Sequence, residues 1–106
     1  MLGVYYRDIK LGVLTYEKGM YIYKAIPSNV VRAHQKGYVT RVYGCDEDFV
    51  SKDLPMAIEE FIPPEEIVDL NLMANIAPTD TPYQKLLKMG MLDLAYENFY
   101  LKTESV

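Results

Sequence analysis

Val4-Tyr5-Tyr6-Arg7-Asp8-Ile9-Lys10-Leu11-Gly12-Val13-Leu14-Thr15-Tyr16-Glu17-Lys18-Gly19-Met20-Tyr21-Ile22-Tyr23-Lys24-Ala25 decides the fold. Three runs rich in β-branched and aromatic residues (4–6, 11–16 and 20–25) are separated by Arg7-Asp8-Ile9-Lys10 and by Glu17-Lys18-Gly19. Short apolar runs bounded by polar residues and glycine predict a three-stranded antiparallel meander. Alternation puts Tyr21 and Tyr23 on one face, opposite Ile22, so both faces carry large side chains.

Working outward, Pro27-Ser28-Asn29 can start a helix of one to two turns, with Ser28 or Asn29 supplying a capping oxygen. Val30, Val31, Ala33 and His34 mark its partly apolar face, and Lys36-Gly37 ends it with a cation and a residue suited to the left-handed cap. Tyr38-Val39-Thr40-Arg41-Val42-Tyr43 then reads as a fourth strand, stopped by Gly44.

Beyond Gly44 the period changes. Cys45-Asp46-Glu47-Asp48 is a loop. Phe49-Val50-Ser51-Lys52-Asp53-Leu54-Pro55-Met56-Ala57-Ile58-Glu59-Glu60-Phe61-Ile62-Pro63 combines turn chemistry with a short helix carrying Met56, Ala57, Ile58, Phe61 and Ile62. Pro63-Pro64 breaks it, because proline lacks an amide hydrogen and restricts the residue before it. Pro64, Glu65 and Glu66 suit the first turn of a second helix, with Ile67, Val68, Leu70, Leu72, Met73 and Ile76 as its apolar stripe. Ala77-Pro78-Thr79-Asp80 is a linker. Thr81 caps a third helix, Pro82 takes its first position, and Leu86, Leu87 and Met89 face inward before Gly90. Residues 98–102 predict a closing strand paired with the meander, while 92–97 fit helix or strand equally. The pattern is α+β: an antiparallel meander sheet of four to five strands with three to four short helices, in one domain of 106 residues.

The formal net charge of −4 hides a strong asymmetry. Residues 1–41 hold seven Lys/Arg against two Asp/Glu, whereas residues 42–84 hold ten acids against Lys52 alone. An acidic centre disfavours nucleic acid, whose phosphates reward clustered bases, and favours a basic protein partner or a solvated acidic face. No apolar run approaches the ~20 residues of a membrane span. No basic segment followed by an apolar one opens the chain, so no secretory signal is expected, and the lone Cys45 fits a reducing cytoplasm.

Convergent chemistry is sparse. His34 is the single histidine, and His34 with Cys45 lacks the local signature of a nucleophile pair. Asp46-Glu47-Asp48 has neither the spacing nor the following residues of a calcium loop. Glu59-Glu60 and Glu65-Glu66 are adjacent in sequence and point in different directions on a helix, so neither makes a carboxylate dyad. The glycines form no phosphate-cradling loop. The sequence therefore predicts no catalytic set, no metal and no cofactor. The ten tyrosines carry more weight. Tyr5, Tyr16, Tyr21, Tyr23, Tyr38 and Tyr43 fall on predicted strands as core or cross-strand packing, and any left over would form an aromatic contact patch.

Val4-Tyr5, Gly12-Val13-Leu14 and Tyr21-Ile22-Tyr23 follow the valine-aromatic, Gly-x-Leu and aromatic-x-aromatic strands of one known module. Phe61-Ile62-Pro63 follows its helix end, and Pro82-Tyr83-Gln84-Lys85-Leu86-Leu87-Lys88-Met89-Gly90 its aromatic-x-x-Leu-Leu segment leading to glycine. In these motifs, in order over nearly the whole chain, the sequence resembles the N-terminal subdomain of HipA-family proteins, the bacterial serine/threonine kinase toxins. The family's nucleotide loop and catalytic aspartates belong to its later part, so the resemblance implies no catalytic residue here. It also implies a partner, because some bacterial operons encode this module separately as an antitoxin that binds the truncated kinase. The expectation is a non-enzymatic module that docks on a HipA-type kinase. Asp46, Glu47, Asp48, Phe49, Glu59 and Glu60 are the candidate contacts, since loops and helix rims carry function on a rigid sheet. The alternative is a homo-oligomeric scaffold, down to a homodimer, in which the basic and acidic segments meet. A small enzyme is the weakest class.

Overall fold

In the computed structural model, which describes residues 1–93 and 97–105, the meander forms as alternation dictates. Its strands are β1 (Leu2–Tyr6), β2 (Ile9–Glu17) and β3 (Met20–Ala25). Lys18 and Gly19, between β2 and β3, hold φ of 51° and 79°. Two consecutive positive φ angles are what a tight hairpin needs to follow the strand twist, and glycine takes the second without penalty. Two further strands complete the sheet, β4 (Phe49–Ser51) and β5 (Phe99–Thr103), in the order β4-β3-β2-β1-β5 with every neighbouring pair antiparallel. The closing strand thus pairs with the meander as expected. The α+β class is shown by this sheet and four helices: α1 (Pro27–Gln35), α2 (Met56–Glu59), α3 (Val68–Met73) and α4 (Pro82–Met89).

Register assigns the faces. Leu2, Val4, Ile9, Leu14, Tyr21, Tyr23, Phe99 and Leu101 share one face and are buried. Between Val4 and Tyr5 the pairing skips one residue of β2, a bulge that leaves Leu11 unpaired yet fully buried. Val30 and Ala33 of α1, Ile58 of α2 and Leu86 of α4 close over this face. Each fully buried leucine contributes about 1.5–3 kcal/mol. Gly12 leaves room for the core's largest member, since a Cβ there would overlap the Tyr23 phenol and the Lys24 carbonyl. The Tyr23 hydroxyl reaches across to donate to the Cys45 carbonyl at 2.7 Å. Tyr21 and Tyr23 point inward and Ile22 outward, as alternation requires. The outward face carries Val13, Thr15, Ile22, Lys24, Val50 and Lys102.

The helices correct several expectations. α4 matches its sequence: Thr81 Oγ1 accepts from the Gln84 amide and the Gln84 side chain accepts from the Thr81 amide, with Pro82 in the first turn. α1 is longer than expected, and neither Ser28 nor Asn29 caps it; Ile26 stands at the cap, and Asn29 instead donates to the Lys10 carbonyl at 2.9 Å. Gly37 takes the left-handed conformation after it (φ 82°). Residues 38–43 are not a strand. Their last three form a 3-10 turn (Arg41–Tyr43), while the Tyr38 and Tyr43 rings pack on Tyr6 at 5.1 and 5.8 Å. Sheet pairing falls instead to Phe49–Ser51. α2 is a single turn, and Pro64-Glu65-Glu66 form a turn before α3 instead of its first turn. Part of the ambiguous 92–97 stretch lies outside the described residues.

Candidate docking surface

The expected contacts divide into two sets. Asp46, Asp48 and Phe49 are built into the scaffold. The Asp46 carboxylate accepts from the Thr40 hydroxyl at 2.7 Å through one oxygen and from His34 Nε2 at 2.9 Å through the other. Its partner Thr40 is fully buried, a polar residue held by this pairing. Asp48 accepts from the Ala25 amide at 2.8 Å, with Lys24 Nζ at 3.8 Å. Phe49 stacks on Tyr23 with centroids 5.2 Å apart. Glu47, Glu59 and Glu60 are exposed and project from this frame. Asp46 and Glu47 share a groove of about 540 Å³ with His34, Thr40 and Arg41. Glu60 lines a different groove, walled by Tyr43, Phe61 and Phe99. Asp46 and Glu47 thus line one groove and Glu60 another.

The apolar stripe read onto α3 does not face inward. No residue of α3 is buried; Ile67 before it is 47% exposed, Val68 58%, Leu72 73% and Met73 69%. Glu65, Glu66 and Asp69, all exposed, border them. Val68, Leu72, Ile76 and Pro78 line a groove of about 360 Å³ whose rim carries Glu65 and Lys85. A helix of six residues with only Asp69 and Asn71 polar has no polar face to turn outward, and that was the available signal. Met56 on α2 is 75% exposed and adds to the apolar area outside the core. Isolated exposed apolar residues are ordinary, whereas a contiguous run bordered by charge marks an interaction surface.

Titratable groups are tuned by packing. Burial, with Asp46 nearby, pushes the Cys45 thiol up to about 12, which keeps it protonated and inert. Burial also raises the Tyr23 phenol. Burial and then the Glu104 carboxylate raise Tyr5 to about 12. Lys88 Nζ at 2.6 Å and the Ala77 amide at 2.8 Å hold the Asp80 carboxyl below its ordinary range. Among the described residues no group of three or more His, Cys, Asp or Glu could hold a metal ion, and no helix is long and apolar enough to cross a membrane. No family model, curated protein or solved structure matches the chain.

Proposed function

We propose that this chain is a non-catalytic protein-interaction module that binds and modulates a separately encoded HipA-type serine/threonine kinase. The observation that carries the reading is α3, whose Val68, Leu72 and Met73 stand in solvent beside Glu65, Glu66 and Asp69. Covering such side chains is worth about 25 cal/mol per Å² of apolar area, and an acidic border steers a basic partner and raises its rate of encounter. The motif resemblance supports the kinase as partner, and the inert, buried Cys45 is consistent with action in a reducing cytoplasm. Asp46, Glu47, Asp48, Phe49, Glu59 and Glu60 belong to this reading as flanking contacts. Co-purification of the full chain with a HipA-type kinase lacking its own N-terminal module, at micromolar concentration and low salt, tests it. A complex that Leu72→Asp disrupts is the expected result; no complex under those conditions rejects it.

A second reading, a homo-oligomer without a kinase partner, is favoured by the outward sheet face. There Val13, Ile22 and Val50 share a face with Lys24 and Lys102, which lie near Asp48 and Glu104. Salt-sensitive self-association in analytical ultracentrifugation supports it, and a monomer at all concentrations removes it.

A further inference from the structure

Three aromatic rings from distant parts of the chain meet at one groove of about 470 Å³: Tyr43 of the 3-10 turn, Phe61 just after α2, and Phe99 at the start of β5. Tyr43 and Phe99 are parallel, with centroids 4.2 Å apart, and Phe61 leans on Phe99 at 6.0 Å. Glu60 and Glu97 complete the lining, and both are exposed. The ion pairs of Asp8, Asp46, Asp48, Asp80 and Glu104 involve neither Glu60 nor Glu97.

Phe99 is buried and stacked on Tyr43, so the partly exposed Tyr43 and Phe61 are the rings this groove offers. Aromatic faces carry the negative part of a quadrupole, and these rings and the carboxylates attract the same kind of ligand. That ligand is a cation with an apolar stem. A lysine or arginine side chain fits this description, since its methylenes can lie along Phe61 and Ala57 while the charged head stays at the wet, carboxylate-bearing rim. An anion would be repelled, and a neutral apolar group would gain nothing from the two glutamates.

We infer that this groove receives an arginine or lysine side chain presented by the protein partner. The inference rests on the docking function proposed above and adds the chemistry of one contact. It can be read without the kinase, by NMR titration of the full chain with N-acetyl-arginine methylamide and, in parallel, with its neutral isostere, the citrulline derivative. The expected result is saturable movement of the Phe61 and Phe99 ring signals with the arginine compound and none with citrulline. Glu60→Gln combined with Glu97→Gln should weaken that binding about five-fold while leaving the core signals of Leu14 and Leu101 in place. Equal shifts with both compounds, no saturable shift, or an unchanged affinity in the double variant overturns the assignment. So does movement of the same signals with protein concentration alone, which would mean a second copy fills the groove. A failed titration leaves the co-purification test untouched, and a failed co-purification leaves the titration readable.

Discussion

β2 and α3 use similar apolar residues to opposite ends. β2 buries Ile9, Leu11 and Leu14 completely, whereas α3 buries nothing although Val68, Leu70, Leu72 and Met73 make up four of its six residues. The difference lies in neighbours. β2 is paired on both sides and covered by helices, so each inward residue meets a complementary surface. α3 is short, has no side-chain cap, and follows a proline-driven turn. Hydrophobicity alone therefore does not place a residue in the core. Apolar area that the fold leaves uncovered stays available to a partner.

The sharpest way to break this contrast is Leu14→Ala, which should cost about 3 kcal/mol in urea denaturation, as a cavity in a packed core does. A loss below about 1 kcal/mol would mean that the inward sheet face is not the core. Next in size is Tyr23→Phe. It keeps the ring over Gly12 but strips the Cys45 carbonyl of its hydroxyl partner, a loss of about 1–2 kcal/mol by the same measurement.

The third test concerns pH. Because Lys88 and the Ala77 amide favour the charged form of Asp80, its stabilisation is complete above the ordinary carboxylate pKa of about 4. That contribution is lost as pH falls through the lower folded-state value. Asp80→Asn should therefore be less stable than the parent at neutral pH, with the gap closing as melts are taken to pH values below the ordinary carboxylate pKa. A gap that stays constant with pH would show that the Lys88 pair contributes nothing. The smallest effect belongs to the other side of the comparison. Leu72→Ser should change stability by less than about 0.5 kcal/mol while weakening the proposed docking on a kinase. A large loss of stability would place Leu72 in the core and remove the contrast.

How much of this was legible depended on whether local pattern and tertiary contact agreed. The meander, the Lys18-Gly19 turn, the Thr81-Pro82 helix start and the closing strand were readable, because alternation and capping are local codes. Residues 38–43 misled because their β-formers are overruled from outside: Tyr6 draws in the Tyr38 and Tyr43 rings, and Asp46 locks Thr40. Phe49–Ser51 is too short to display a period at all. The candidate surface was half visible. The acidity of the central segment is a matter of counting, but only the fold shows that Asp46 and Asp48 are engaged and that Glu47, Glu59 and Glu60 are exposed. The aromatic groove was hidden because Tyr43, Phe61 and Phe99 are far apart in sequence.

One consequence follows from the loop that carries Glu47. Tyr23 holds the Cys45 carbonyl at one end, the Ala25 amide holds Asp48 at the other, and His34 and Thr40 grip Asp46 between them. Glu47 is thus presented from a backbone tied down on both sides, and much of its loop's conformational freedom is already given up during folding. A partner that meets Glu47 finds a preorganised carboxylate, so less entropy remains to be lost on association and more of the contact energy appears as affinity.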